Sequence, residues 1–187
     1  MMRWHAALAV AAWVAVATPA QAAFEFSGTK SITAVTADGG RLRIGTVQFS
    51  PAPDGGAAFK LVMATELFND HFLSMREFKC LPAAQEITCH VPYPYPQPAT
   101  VRPGQLAWLE HSLLFFFKKP ADFGAKLWNG VYFELREQGD ALVGTPQAID
   151  LNEIGAPPAN PSVAPYGKAR RHEMPAGARW VQQLRIE

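Results

Sequence analysis

Most of what would identify an enzyme or a nucleic-acid binder is missing from this sequence. The 187 residues carry two cysteines and five histidines, and Lys plus Arg (17) nearly balances Asp plus Glu (16). A near-neutral chain has no general electrostatic pull toward nucleic acid or anionic lipid. Cys80 and Cys89 are nine residues apart, so the Cys-x-x-Cys spacing of thioredoxin-like exchange does not occur. Also missing are the Gly-x-Ser-x-Gly nucleophile elbow and the His-Glu-x-x-His metal helix. Internal repeats and strands alternating with helices at βαβ spacing are lacking too, which argues against a solenoid and a Rossmann-type sheet.

Long apolar runs are equally scarce. Only Ala6 to Ala17 is continuously hydrophobic, and it falls short of the roughly 20 residues needed to cross a bilayer as a helix. It follows Arg3 and leads through Thr18-Pro19 to Ala20-Gln21-Ala22. A basic start, an apolar stretch and small residues before a break have the form of a secretory signal peptide. Residues 1–22 are therefore expected to be a leader, with cleavage after Ala22 or, alternatively, Ala23. Residues 23–187 are expected to form one β-rich domain, periplasmic or secreted. The mature part has no apolar stretch suited to a transmembrane helix. In an oxidising compartment, Cys80 and Cys89 are expected to form one disulfide.

What is present is alternation. Ser31–Ala37 and Arg41–Phe49 flank Asp38-Gly39-Gly40, a strong hairpin signal. A turn at Pro51–Gly56 leads to Phe59, Leu61 and Met63, which share one face. Phe72–Cys80 and Glu86–Val91 read as a second hairpin with Ala84-Gln85 at its tip. That register sets Cys80 opposite Cys89 and Lys79 opposite His90. It assigns Phe78, Cys80, Ile87, Cys89 and Val91 to an inward face, and Glu77, Lys79, Thr88 and His90 to a wet one. Gln138-Gly139-Asp140 joins two further strands, and residues 180–187 read as a terminal strand. Residues 106–119 fit a helix or a strand, with Phe115-Phe116-Phe117 favouring a strand buried on both sides. Pro120–Phe123 suggests one helical turn. The segment 152–177, rich in Pro, Ala and Gly, reads as a long surface loop. The expected fold is all-β and mainly antiparallel, a barrel or sandwich of about 9–11 short strands with one or two short helical turns.

Three functional readings follow. The first is a non-enzymatic binding domain for a small molecule or cell-envelope component, with no cofactor. Tyr93, Tyr95 and Trp128 are its candidate contacts, because they lie beside Pro or Asn-Gly where burial is hard to arrange. The other phenylalanines in this aromatic-rich region, Phe123 included, are read as core. The second is a periplasmic hydrolase or metal-binding protein using His71, Glu110 and His111. Against it, no spacing suggests a metal site, His90 is placed outside beside Lys79, and His111 and Ser112 on a strand would point to opposite faces. The third is an envelope scaffold or protein-interaction domain. A small basic cluster, Lys168, Arg170, Arg171 and His172, reads as a solvated loop.

Overall fold

The computed structural model describes residues 23–187, so the expected leader lies outside the described residues. The fold is all-β and mainly antiparallel. Its strands are β1 (Gly28–Thr36), β2 (Arg41–Pro51), β3 (Ala57–Met63), β4 (Asn69–Asp70), β5 (Lys79–Pro82), β6 (Ile87–Val91) and β7 (Thr100–Val101). After one short helix, α1 (Ala107–His111), come β8 (Leu114–Lys118), β9 (Gly130–Gln138), β10 (Ala141–Ile149), β11 (His172–Glu173) and β12 (Val181–Ile186). They form one sheet in the order β4-β5-β6-β8-β9-β10-β12-β1-β2-β3-β7, with β11 added beside β10.

That sheet has two ends, yet it must curl. Nine strand-to-strand steps separate β3 from β4, which in a flat sheet would put them about 43 Å apart. The chain passes from Met63 to Asn69 in six residues, a reach of at most about 22 Å. The two margins are therefore drawn together into an open, barrel-like shell. Phe68, on this short link, is buried in the same interior as Phe49 and Phe59 near one margin and Leu81 near the other.

The interior core gathers Ile32, Ile44, Phe115, Phe133, Leu184 and Ile186 from strands around the shell. A second core lies on the opposite face of the β5-β6-β8-β9 region. There Cys80, Cys89, Phe116 and Tyr132 are roofed by Leu151, Ile154 and Tyr166. Consecutive side chains of β8 enter opposite cores: Phe115 goes inward, while Leu114 and Phe116 go outward. This double burial accounts for the unbroken Leu-Leu-Phe-Phe run. Residues 106–119 contain both alternatives, a five-residue helix and then a strand.

The Cys80 hairpin has the expected register, with Cys80 opposite Cys89 and Lys79 opposite His90. Two details differ. First, β5 begins only at Lys79, because residues 71–78 form a loop closed by the Phe78 N–H on the Met75 carbonyl. Second, no face of β6 is wet: Thr88 and His90 are as buried as Ile87 and Cys89. The face expected to meet solvent is the shell interior, where His90 packs edge-on to Phe115 at 5.4 Å between ring centroids. The face expected to be inward lies under the 151–166 roof. Period-two patterning separates two faces but does not say whether something covers each of them.

Other expectations also shift. The terminal strand pairs with both β1 and β10, and a bulge opposite Val35/Thr36 lets Val181 be buried along with Leu184 and Ile186. Pro120–Phe123 makes only a turn, and the helical turn falls at Leu127–Asn129. Phe123 is 96% exposed and is not core. The 152–177 segment is more ordered than a plain loop. It holds 3-10 turns at Leu151–Ile154 and Lys168–Arg170, the strand β11, and a buried Tyr166.

Cys80 and Cys89 form a disulfide with both residues fully buried. Closing a loop of nine residues' separation is worth about 2–3 kcal/mol through the unfolded chain. Cys80→Ser is expected to lower the melting temperature in oxidising buffer by roughly 5–10 °C for a domain of this size. Reductant should lower the melting temperature of wild type and leave the variant unchanged. Equal melting of both proteins in oxidising buffer would contradict this.

Candidate functional site

The site is organised by α1 and the strand it abuts. Helix α1 caps one end of the shell. Leu106, Leu109 and Leu113, at helical spacing, face the interior core. The three residues Glu110, His111 and Ser112 face away from it, and each ties down a different segment.

Glu110 reaches β9. Strand β8 starts at Leu114 and pairs with β9 only at Gly130 and Val131, so the β8-side margin of β9 has no strand partner beyond that point. The Glu110 carboxylate takes over: Oε1 accepts the Leu135 backbone N–H at 2.7 Å, and Oε2 accepts the Tyr132 hydroxyl. Burial raises the Glu110 pKa, and these two hydrogen bonds oppose the rise. Tyr132 is pushed upward as well, by burial first and by the neighbouring Glu110 second.

His111, fully buried, reaches the roof. Its Nδ1–H donates to the Ala107 carbonyl at 2.6 Å, and its Nε2 accepts the backbone N–H of Tyr166 at 3.0 Å. An N–H can only donate, so Nε2 must be the unprotonated nitrogen and the ring is neutral. The ring stacks on Tyr166 with centroids 5.5 Å apart and planes 20° apart. Burial is the main cause of a pKa lowered to about 4, with the Arg171 charge acting in the same direction.

Ser112 ends the helix. Its hydroxyl donates to the Trp108 carbonyl and accepts from Gln97 Nε2, while its carbonyl lies 3.0 Å from His90 Nε2. Gln97 belongs to the segment Val91–Pro98, in which every proline is exposed while Tyr93, Tyr95 and Gln97 are half-buried. The segment is a brace laid over the fold. Tyr95 donates to the Ile154 carbonyl, and Tyr93 packs against Trp108 and His111.

Of the residues singled out in the sequence, Glu110 and His111 come together. Exposed His71, beyond β4, does not join them and packs against Phe72. Because His111 and Ser112 close a helix rather than lie on a strand, alternation does not govern them. They are still no nucleophile and base, since the free lone pair of His111 is taken by Tyr166. Among the described residues, no group of three or more His, Cys, Asp or Glu is arranged to hold a metal ion. Trp128 is 59% exposed, has Lys126 over its ring, and borders a hollow of about 260 Å³ with Asp150, Glu153, Arg170 and His172.

Where α1 leaves β9 open, a cleft of about 1050 Å³ forms. Its walls are the 98–108 segment, the β9 residues Glu134–Glu137, and the 162–171 loop, and Glu110 and Tyr132 lie at its floor. Glu134 accepts from Arg136 at 2.9 Å, which holds its pKa below the usual carboxylate range. Arg171 lies over the Tyr132 ring. Sequence reasoning did not single out Trp108, Tyr132, Glu134 or Tyr166, and it took Arg171 for part of a solvated loop. The alternation of β9 could have grouped Tyr132, Glu134 and Arg136 on one face. Nothing local to residues 160–171 signals that Tyr166 and Arg171 fold back onto it.

The pH response follows from these burials. An unfolded histidine takes up a proton near pH 6.5, whereas folded His111 stays neutral down to about 4. Its contribution is complete above about pH 6.5 and declines as pH falls toward 4, by on the order of 3 kcal/mol. Buried His90 acts in the same direction. Glu110 acts oppositely: its raised pKa gives stability below the unfolded value of 4.5, and this is lost as pH rises through the folded value. Thermal melts are expected to fall from pH 6.5 to 4, and His111→Gln should flatten that fall. Parallel pH profiles for the two proteins would contradict the assignment.

No protein-family model matches the chain, and no curated protein or solved structure matches it either.

Proposed function

We propose that this is an exported binding domain that holds a small molecule or envelope component in the cleft between α1, β9 and the 162–171 loop, without transforming it. One observation carries the reading. The cleft is large for a small domain, as ligand sites commonly run to about 300–1000 Å³. Its floor is a set of polar groups fixed in place before any ligand arrives. Half-buried Trp108, together with Leu106 and Leu135, supplies apolar wall beside them. A polar floor held rigid by its own hydrogen bonds and an aromatic wall suit recognition, because little ordering is left to be done on binding.

Support for binding rather than hydrolysis comes from how the candidate acid–base groups are used. Both nitrogens of His111 hold backbone, and the hydroxyl proton of Ser112 is given to the Trp108 carbonyl while its oxygen holds the brace through Gln97. A general base needs a lone pair free to reach the substrate proton. Export is supported by the buried disulfide, which suits an oxidising compartment, and by the leader expected at 1–22. No helix among the described residues is long and apolar enough to cross a membrane. The exposed Trp128 and its neighbouring hollow favour, as a second reading, a contact surface for a protein partner.

Native mass spectrometry of protein purified from its own host should show a retained non-covalent mass. Ala164→Trp, which places a large ring in the cleft wall, should abolish that mass while leaving the melting temperature within a few degrees. A mass retained equally by the variant would place binding elsewhere, and no retained mass in wild type would count against the proposal.

A further inference from the structure

Arg171 is anchored by its own backbone, since β11 begins at the next residue and pairs with β10 at Gln147 and Ala148. Its side chain is only 10% exposed, and the guanidinium lies 4.7 Å from the centre of the Tyr132 ring. An arginine cannot shed its charge at any ordinary pH, so burying one calls for close anionic or hydrogen-bonding partners. Here they are poor. The one ion-pair contact of Arg171 among the described residues is with Glu134 Oε1 at 3.7 Å, longer than a hydrogen bond. Arg171 Nε is buried without any partner. Glu134 is meanwhile engaged at its other oxygen by Arg136 and Gln147.

The surroundings are permissive for an incoming anion. Lys168, exposed and without an ion pair among the described residues, lines the same cleft three residues before Arg171. Arg136 lines it too and neutralises Glu134. Of the remaining acids at the cleft, Glu110 is held by Tyr132 and Leu135, and Glu137 takes the Gly104 N–H at 3.2 Å. Four cations thus line the cleft; Arg102 is paired with Asp54 and Arg136 with Glu134, Lys168 is exposed to water, and Arg171, the most buried, is left with only the long contact to Glu134.

We propose that Arg171, assisted by Lys168, forms an oxyanion-binding subsite in this cleft. The ligand would carry a carboxylate or phosphate group on the Arg171 fork, and an apolar or ring-shaped part along Trp108 and Leu106. This inference rests on the cleft-binding reading above and adds the chemical class of the ligand. The planar guanidinium presents paired N–H groups that match two oxygens of one anion, and its stacking on Tyr132 keeps the fork oriented.

The test uses the 15N-labelled protein as purified from its host, titrated separately with sodium acetate and with inorganic phosphate at ionic strength held constant by sodium chloride. The expected result is a saturable shift of the Arg171 Nε–H resonance and of the Gly167–Arg171 amides with at least one anion. Which anion saturates them identifies carboxylate or phosphate as the preferred group. Arg171→Gln should weaken that binding about tenfold or more. Lys168→Gln, a surface change that leaves the fold intact, should weaken it about threefold. If the Arg171 Nε–H responds to neither anion beyond its response to chloride, the subsite is overturned. A saturable response unchanged by Lys168→Gln and centred away from residues 167–171 would overturn it equally. The two proposals fail separately. A silent Arg171 alongside a host-derived mass that Ala164→Trp removes refutes the oxyanion subsite and leaves cleft binding in place.

Discussion

The Glu110 carboxylate stands where a strand is missing, and much of the molecule depends on that substitution. An antiparallel strand with an empty flank leaves N–H groups that must find partners or water. Strand β9 loses β8 as a neighbour after Val131, and α1 supplies a side-chain acceptor instead, at Leu135. The helix is only five residues long and would have no stability of its own in water. It persists because its leucines plug the shell interior while Glu110, His111 and Ser112 clamp β9, the roof and the brace. Removing one acceptor from such a network leaves a buried donor unpaired, which costs more than a typical hydrogen bond contributes. The same gap that calls for Glu110 also opens the cleft. A β8 extended by a few residues would pair with the rest of β9 and abolish it.

The electrostatics of the cleft follow from that arrangement. A carboxylate at its floor, two tyrosines with raised pKa values, and behind them a histidine kept neutral by burial form a buried polar network. Arg171 and Arg136 bracket it and share Glu134 between them. Burial makes each member of such a network dependent on the others. The groups that look reactive in the sequence are thereby occupied in architecture, and the groups with unused donors are the basic ones.

Local patterning carried the strands well and the tertiary roles poorly. The hairpins at residues 36–41, 51–57 and 138–141 were legible because Gly, Asp and Pro mark turns whatever the rest of the chain does. The register of Cys80 on Cys89 followed from one assumed two-residue tip. What was not legible was coverage. Thr88 and His90 looked wet because alternation cannot reveal that the sheet curls over one of its faces and a distant loop roofs the other. Phe123 looked like core because its neighbours are aromatic, yet it sits at a loop tip. In the candidate site, Glu110 and His111 drew notice as titratable types, but their partners, Leu135 N–H and Tyr166 N–H, are backbone groups with no sequence signature. Tyr166 and Arg171 lie in a stretch whose composition reads as loop. Their importance comes from contacts more than thirty residues away, to His111 and Glu134.

Amide hydrogen exchange at Leu135 and Tyr166 tests the central claim most directly. If Glu110 and His111 are structural acceptors, both amides are protected to the level of the paired β9–β10 amides. In Glu110→Ala, protection at Leu135 falls first while the β1–β2 hairpin keeps its own. Exchange of Leu135 and Tyr166 at loop-like rates in the wild-type protein would contradict the account.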